Sequence, residues 1–459
     1  ALDFEGDFNS NFFHGGMNFF PSHMGLAASG DPEVAYRAGY AIGKQLAVLG
    51  VTMVHGPICD INNNPDNPEI GTRSFSDDAE IATNFSVKFW HGLNDAGVVA
   101  TAKHFPGRGD SARDAHDALD VINVNRDRMH NVELRPYKAL INLGLKALMT
   151  AHSSYPAFDS ADMPATLSYK IMTELLRHEL GFKGVITTDA MGMGAIINGR
   201  GLPRACVEAL KAGCNLLLVK NDDEARSQVF FEVKRAVETG EISEEQLNES
   251  VRYVLNMKYD QGMFETGGKV DPKEAPVVIR SEKLRAAEKE AAQKALTLIR
   301  DKAGLLPLNK DQKVMVVEQL VPAEFIPNDV YYHPHIFNEA MAEHSLNLIC
   351  CDTDFKATEQ EVELLLDVAN DADVVVITNY YYRVLKHTNE ELVKKLINAG
   401  KKVVVVTNTP YDVGCLPEAD TVVCTFNVTK QSAKAAAAFL FGKTTAPGKV
   451  PLKDYSPNK

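Results

Sequence analysis

Residues 181–194 read Gly-Phe-Lys-Gly-Val-Ile-Thr-Thr-Asp-Ala-Met-Gly-Met-Gly. The apolar run in this segment ends at Asp189, and small residues follow it. An apolar run without polar alternation is typical of a strand that is buried on both faces of a parallel sheet. Such a strand carries Asp189 to its carboxyl end, which is the active-site edge of a (β/α) barrel. An aspartate after a strand also commonly caps a helix, so the segment alone leaves both roles open.

Similar apolar runs recur along the first half of the chain, at residues 51–55, 97–102, 146–150 and 215–219. Amphipathic stretches between them predict helices, which begin at residue 32 or cover 78–96, 126–143 and 169–180. Repeated strand–helix units indicate an α/β fold, either a doubly wound sheet or a (β/α) barrel. Periodicity does not separate these two.

A second α/β pattern follows a segment rich in glycine and proline. It predicts strands at residues 314–317, 374–378, 403–407 and 422–425. It predicts helices near residues 281–295, 359–369, 389–399 and 431–441. We therefore predict a first domain over residues 1–260, a linker over 261–280, and a smaller doubly wound α/β sandwich over 281–459.

The length and the net charge of the chain restrict its number of domains and its partners. A length of 459 residues exceeds what one hydrophobic core usually holds, which predicts two domains. Lys and Arg total 48 while Asp and Glu total 61, so the net charge is −13. This charge repels a polyanion, so we expect no nucleic-acid partner and favour a neutral substrate. No apolar run approaches the ~20 residues of a spanning helix, so we expect no membrane span.

Cysteine and histidine positions follow no metal-ligand spacing. The seven cysteines are odd in number and mostly lie in apolar runs. This predicts buried free thiols, which favour the cytoplasm and leave export open. No glycine-rich phosphate loop or dinucleotide fingerprint joins a strand to a helix. We therefore expect neither a metal nor an organic cofactor.

A second informative segment, residues 103–116, reads Lys-His-Phe-Pro-Gly-Arg-Gly-Asp-Ser-Ala-Arg-Asp-Ala-His and begins where an apolar strand ends. Its Pro-Gly-X-Gly allows a tight turn. Residues i and i+2 of an extended stretch face the same way, so Asp114 is in position to hydrogen-bond the His116 ring. Such a bond fixes the tautomer and raises the basicity of the imidazole, as a general acid/base requires. Unrelated charges on a surface loop are the alternative.

A third segment, residues 61–75, reads Ile-Asn-Asn-Asn-Pro-Asp-Asn-Pro-Glu-Ile-Gly-Thr-Arg-Ser-Phe. This polar loop presents Arg73, whose guanidinium is suited to hydrogen-bond sugar hydroxyls or an acyl group. A salt-bridged loop arginine is the alternative.

Together the three segments resemble family 3 glycoside hydrolases of the bacterial β-N-acetylglucosaminidase type. The matching sequence motifs are Lys-His-Phe-Pro-Gly-X-Gly-Asp with Asp-X-His, Ile-Gly-X-Arg-Ser-Phe, and Thr-Asp-Ala-Met-X-Met. Further matches lie at residues 2–6, 149–152 and 164–168, and the second domain of longer members is matched at 305–308 and 447–451. The resemblance implies a (β/α)8 TIM-like barrel followed by the smaller sandwich domain.

The resemblance also implies roles for single residues. Asp189 corresponds to the nucleophile, His116 to the acid/base and Asp114 to its partner. Four further positions correspond to sugar-binding residues: Asp3, Arg73, Lys103 and His104. The implied substrate is an amino-sugar glycoside with a terminal β-linked N-acetylhexosamine, hydrolysed with retention through a covalent glycosyl-enzyme. Some relatives with this Asp-His pair use phosphate as acceptor, so phosphorolysis is an open variant.

Two departures from the family pattern bear on these expectations. The family has a Gly-Gly-Arg-Val-X-Arg stretch where residues 6–11 read Gly-Asp-Phe-Asn-Ser-Asn, so the expected arginines are absent. The chain also begins on what corresponds to the second barrel strand. This predicts a barrel without its first strand. Either a missing segment or a separate chain completes the barrel, or the barrel closes imperfectly. An oligomer, activity on a different β-glycoside, and a carbohydrate-binding or assembly subunit that kept the fold are further alternatives.

Overall fold

A computed structural model describes residues 1–7, 16–220, 222–320, 322, 333–382, 388–453 and 455. The chain divides into two compact units, Ala1–Asp3 with Gly43–Ala275 and Phe4–Ile42 with Pro276–Lys459. Residues 8–11, which belong to the stretch where the family's arginines are missing, lie outside the described residues. Within the described residues, no helix combines the length and the apolarity that crossing a bilayer requires.

The strands of the described residues are numbered in chain order: β1 (Met53–Val54), β2 (Val99–Phe105), β3 (Asp120–Val121), β4 (Ala147–Thr150), β5 (Ser153–Ser154), β6 (Val185–Ala190), β7 (Leu216–Leu218), β8 (Thr297–Asp301), β9 (Val314–Gln319), β10 (Leu348–Thr353), β11 (Val374–Thr378), β12 (Val403–Thr407) and β13 (Thr421–Cys424). The α-helices are α1 (His23–Ala28), α2 (Pro32–Ala47), α3 (Ala79–Asp95), α4 (Arg126–Asn131), α5 (Arg135–Asn142), α6 (Gly194–Ile197), α7 (Leu202–Ala212), α8 (Asp223–Glu238), α9 (Glu244–Asp260), α10 (Met263–Thr266), α11 (Glu274–Ile279), α12 (Glu282–Ala295), α13 (Ile336–Ala342), α14 (Glu359–Val368), α15 (Glu390–Asn398), α16 (Asp412–Cys415) and α17 (Lys430–Leu440). Short 3-10 turns cover Gly71–Arg73, Ala165–Leu167 and Ala369–Asp371, and a π-helix covers Lys170–Glu179.

The first unit contains a curled parallel sheet with the strand order β1-β2-β4-β6-β7. Leu2 extends this sheet through a parallel bridge to Val54. The strands follow one another in chain order, as in a (β/α) barrel wall, whereas a doubly wound sheet reverses its order at a switch point. All five strands predicted for this half of the chain are present.

One apolar layer lies at the amino ends of these strands. Met53, Val99, Ala147 and Val185 are the first residues of β1, β2, β4 and β6, and they pack together as one cluster. Tyr253 and Met257 of α9 pack against the same cluster. The amino ends are thereby filled with apolar side chains. The polar residues Lys103, His104 and Asp189 lie toward the opposite, carboxyl ends of β2 and β6.

The predicted helix over residues 126–143 is wrong in one respect, because the structure has two helices there. Val132, with φ −122° and ψ −78°, leaves the helical region after α4. Pro136 lies in the first turn of α5, which is the part of a helix that tolerates a residue without an N–H group.

The second unit contains a six-stranded sheet in the order β10-β9-β11-β12-β13-β8, parallel except for β8 against β13. Its five parallel strands have the order 2-1-3-4-5 of a doubly wound fold, as predicted. The sequence prediction missed β8, β10 and α13.

All seven cysteines are free thiols, but the expectation of burial is wrong for Cys350, which is exposed, and for Cys351, which is partly buried on the edge strand β10. Residues 261–280 contain the short helices α10 and α11.

Gly184 tests how closely β6 approaches its neighbour. A Cβ atom at this position would lie 2.3 Å from the carbonyl oxygen of Lys146. We expect Gly184→Ala to destabilise the first unit by about 1–3 kcal/mol, because backbone atoms cannot move aside without disturbing the β4–β6 pairing. Thermal unfolding measures the shift. Gly56→Ala, where a Cβ meets nothing within 4 Å, is the control and is expected to change stability by less than about 0.5 kcal/mol. Equal melting of the two variants contradicts the packing argument.

Candidate active site

Asp189 lies at the carboxyl end of β6 and is mostly buried. Its Oδ1 accepts a 2.7 Å hydrogen bond from the Ala190 N–H, and its Oδ2 lies 3.9 Å from His104 Nε2. Burial raises the pKa of Asp189, but the neighbouring imidazoles of His104 and His152 lower it by more than burial raises it. The net pKa of Asp189 is therefore below the ordinary value. The carboxylate is therefore ionised at neutral pH, which is the form that a nucleophile needs.

A buried carboxylate fixes the ring of His104, which lies on β2. Asp60 Oδ2 accepts a 2.7 Å hydrogen bond from His104 Nδ1, and Asp60 Oδ1 accepts one of 2.7 Å from the Arg108 backbone N–H. Because a carboxylate only accepts, Nδ1 of His104 carries a proton, and Nε2 is the ring nitrogen that lies near Asp189. Sequence reasoning missed Asp60. Its signal was its place directly after the apolar residues Ile58 and Cys59 at the end of a strand region.

Lys103 and Asp3, both predicted to bind sugar, form an ion pair in the first unit. Lys103 Nζ lies 3.0 Å from Asp3 Oδ1, and Lys220 Nζ lies 3.5 Å from Asp3 Oδ2. Burial raises the pKa of Asp3, but Lys103 and His55 lower it to well below the usual range. The first residues of the chain thus bring a carboxylate to the same edge of the sheet as Lys103 and His104.

The His116 loop, residues 105–120, is held by hydrogen bonds to the carboxylates of Asp60 and Asp120. Asp120 Oδ2 accepts hydrogen bonds from Ser111 Oγ at 2.5 Å and from the Ala112 N–H at 2.9 Å. Gly109 packs against the main chain of Ile61, where a Cβ atom would lie 1.6 Å from the carbonyl oxygen. The second glycine of the Pro-Gly-X-Gly turn is therefore required by the close approach of two backbone segments.

His116 and Asp114 make the hydrogen bond that their spacing predicts. Asp114 Oδ1 accepts from His116 Nδ1 at 2.7 Å and from the His116 backbone N–H at 2.9 Å. The hydrogen bonds to Asp114 and, secondly, to Glu69 raise the pKa of His116 to about 9, against the opposing effect of burial. The imidazole is therefore protonated at neutral pH, and its side chain is 57% exposed, so a ligand can reach it.

The loop that carries His116 docks onto the segment that follows Asp189. The Gly194 N–H donates to the His116 carbonyl at 3.0 Å, and the Ala195 N–H donates to the Ala115 carbonyl at 3.2 Å. Ala115 and Ala195 also pack in one small apolar cluster with Ala190 and Met193. The His116 loop and the end of β6 are thus parts of one local structure.

Arg73 lies in a 3-10 turn and is buried. Its Nη1 donates to the main-chain oxygen of Glu69 at 3.0 Å. Glu69 and Arg108 form a buried ion pair that sequence reasoning missed, although both stood in the quoted segments. Nothing in the local pattern distinguishes them, because their partners lie about forty residues away in the chain.

Glu69, Asp114 and His116 are also a group that can be compared with a metal site, since one ligand atom from each lies within 4.8 Å of the others. Their remaining contacts point to a different role. Glu69 pairs with the Arg108 guanidinium, and Asp114 already accepts from His116 Nδ1. These contacts are those of a hydrogen-bonded network around one imidazole.

Comparison with known proteins accounts for both halves of the chain. The glycosyl hydrolase family 3 N terminal domain matches residues 2–257, and the glycosyl hydrolase family 3 C-terminal domain matches residues 296–458. Since the first match alone covers more than half of the chain, the chain belongs to glycosyl hydrolase family 3.

Three proteins show what this chain is similar to in sequence or in structure. Beta-hexosaminidase A of Pseudoalteromonas piscicida is 31% identical over 69% of this chain, and the match covers 55% of that protein, so the chain spans about half the length of this relative. A solved family 3 beta-N-acetylglucosaminidase from Paenibacillus is 31% identical with a TM-score of 0.90, covering 98% of this chain and 85% of that one. The beta-glucoside phosphorylase BglX shares the fold, with 24% identity and a TM-score of 0.84 over 98% of this chain and 83% of that one.

Arg108 tests the buried ion pair. We expect Arg108→Met to destabilise the first unit by about 3–5 kcal/mol, because the buried Glu69 carboxylate loses its guanidinium partner. Denaturant unfolding followed by intrinsic fluorescence measures the change. Arg113→Met in the same loop removes an exposed guanidinium and is expected to stay within about 0.5 kcal/mol of the unsubstituted protein. A loss for Arg108→Met no larger than for this control contradicts the assignment.

Proposed function

We propose that this chain is a retaining glycoside hydrolase that removes terminal β-linked N-acetylglucosamine. The observation that carries the proposal is the shared local structure of two groups. Asp189 is an ionised carboxylate at the end of β6, and His116 is a protonated imidazole on a loop that hydrogen-bonds to Gly194, five residues after Asp189. A nucleophile and a proton donor fixed to one backbone segment are what two-step glycoside cleavage needs.

In the first step, an Asp189 oxygen bonds to the anomeric carbon while the bond from that carbon to the leaving oxygen breaks. His116 gives its proton to the leaving oxygen and becomes neutral. The Asp114 carboxylate keeps the proton on Nδ1, so Nε2 is the nitrogen that exchanges a proton with substrate.

In the second step, neutral His116 takes a proton from water, and the water oxygen attacks the anomeric carbon. The bond to Asp189 breaks, and the sugar leaves with its original anomeric configuration after two inversions. The group that acted as acid thus acts as base, as microscopic reversibility requires.

We assign four polar residues of the first unit to a sugar subsite: Asp3, Arg73, Lys103 and His104. Lys103 and Asp3 are held by their mutual ion pair and His104 by Asp60, so their polar atoms are fixed before a sugar binds. The beta-hexosaminidase and beta-N-acetylglucosaminidase names of the 31% identical relatives favour an N-acetylated amino sugar as substrate. We also propose that the curled sheet belongs to a closed (β/α)8 barrel, since its strands follow chain order and the polar residues lie at their carboxyl ends.

Asp189 is tested by substitution and by trapping. We expect Asp189→Ala to lower release of nitrophenol from the aryl β-N-acetylglucosaminide by at least about 10³-fold, because no covalent intermediate forms. Asp117→Asn changes an exposed aspartate of the His116 loop and should keep activity within about twofold. A 2-fluoro glycosyl donor should label Asp189, as read by peptide mass spectrometry.

Other outcomes of these experiments identify the alternatives. Labelling of another carboxylate overturns the nucleophile assignment. Release of sugar 1-phosphate that requires added phosphate identifies a phosphorylase. A folded protein that turns over no aryl glycoside points to a carbohydrate-binding role.

His116 is tested through the leaving group. We expect His116→Ala to slow hydrolysis of a natural disaccharide by about 10²–10⁴-fold and of a nitrophenyl glycoside by much less, because an activated leaving group needs little help from an acid. Steady-state kcat/KM values for both substrates measure the difference. His178→Ala, an exposed histidine on the π-helix, is the control. An equal loss on both substrates assigns His116 to binding or structure instead.

A further inference from the structure

Two carboxylates, and not one, face the ring nitrogen Nδ1 of His116. Asp114 Oδ1 lies 2.7 Å away and Glu69 Oε1 lies 3.4 Å away. Asp114 stands two residues before His116 in the same loop, whereas Glu69 comes from the segment before the 3-10 turn at Gly71–Arg73. The imidazole is therefore contacted by two separate parts of the chain.

Glu69 is held in place by contacts that use both of its oxygens. Its Oε2 accepts from Arg108 and, at 3.0 Å, from the backbone N–H of Ala115, which directly precedes His116. The side chains of Glu69 and Arg108 are 4% and 1% exposed, so the pair is removed from solvent. Burial raises the pKa of Glu69, but Arg108 and His116 lower it to well below the usual range, so the carboxylate is charged.

Charge balance in this network depends on the state of His116. Glu69 and Asp114 supply two negative charges, while Arg108 supplies one positive charge. A protonated His116 supplies the second positive charge in contact with the two carboxylates. A neutral His116 leaves half-buried Asp114 without the cation that contacts it, since Arg108 and Arg73 act on Glu69. Desolvation makes such an imbalance unfavourable, so the network favours the cation.

The other charged groups around His116 are few among the described residues. Asp117 follows in the same loop and is exposed, and Arg73 acts on Glu69 from the 3-10 turn. The docked segment at residues 190–195 carries no ionisable side chain, and Asp189 precedes it. Glu69 is thus the carboxylate from outside the loop that contacts the ring.

We propose that Glu69 is a positioning residue that, with Arg108 behind it, holds the His116 imidazole in its cationic form and so sets how far into alkaline pH the acid step persists. This inference rests on the proposed function of His116 as acid/base. Glu69 touches neither substrate nor reacting atoms in this scheme, since it acts through His116 Nδ1 and the Ala115 N–H.

The kinetic test is Glu69→Gln, which keeps the shape and removes the charge. We expect the alkaline limb of kcat/KM for a natural disaccharide to move to lower pH by about one unit, the smaller end of the effect of a nearby opposite charge. Glu133→Gln is the matched control, because Glu133 is another buried glutamate of the same unit, paired to Arg128 at 2.9 Å. A uniform fall in kcat/KM at all pH values, with the limb unmoved, assigns Glu69 a merely structural role and overturns the proposal.

A titration without substrate separates this inference from the proposed function. The His116 ring is followed by NMR in protein labelled at histidine and assigned with His116→Gln. We expect its pKa to fall in Glu69→Gln and to stay in place in Glu133→Gln, whether or not the protein hydrolyses any glycoside. An unchanged His116 titration overturns the role of Glu69, whereas absent turnover with a shifted titration overturns only the proposed function.

Asp114→Asn keeps the inference testable if Glu69→Gln does not fold. Asp114 lies in the loop with its side chain 23% exposed, so its substitution disturbs less buried charge. With Glu69 still present, His116 should titrate above the ordinary histidine value of about 6.5. A titration at or below that value in Asp114→Asn shows that Glu69 does not hold the cation against the opposing effect of burial and overturns the proposal.

Discussion

The contact between Gly194 and the His116 loop fixes the geometry on which the site depends. A Cβ atom at position 194 would lie 2.5 Å from the Asp117 carbonyl oxygen and 2.7 Å from that of His116, so only glycine allows this approach. The separation of the imidazole from the end of β6 is thereby set by main-chain hydrogen bonds, which vary less than long side chains do. The Gly-Met-Gly segment at residues 192–194 is thus part of the surface that the His116 loop packs against.

Paired charges are the second constraint on this region. Four pairs lie in the first unit at or near the carboxyl ends of the strands: Lys103 with Asp3, His104 with Asp60, Arg108 with Glu69, and His116 with Asp114. Burial alone would favour neutral carboxyls, and a specific partner offsets that cost for each one. The side chains of the four pairs are therefore oriented by their partners, which is the preorganisation that an active site requires.

The sequence predicted those features that local chemistry determines. Strands β2, β4 and β6 follow from apolar runs, and the bond between Asp114 and His116 follows from their spacing of two. Edge strand β10 was missed because its Cys350 and Cys351 are not fully buried, so it lacks the signal of a central strand. Glu69 was missed for a different reason. Its partner Arg108 lies 39 residues away, and only the fold brings the two together.

If His116 is the acid/base, as proposed, the second carboxylate gives a reason why a histidine suits this loop better than the carboxylic acid that glycosidases commonly use. A third carboxyl beside Glu69 and Asp114 would face two negative charges, and like charges at this range strongly oppose ionisation of the last group. It would hold its proton too firmly to release it readily to the leaving oxygen in the first step. An imidazole gains a positive charge in the same surroundings, which completes the balance with Arg108 and Glu69. When it has given its proton away, the two carboxylates make it a stronger base for the attacking water. In the proposed mechanism, the surrounding charges thus keep the imidazole protonated before the first step and strengthen it as a base in the second.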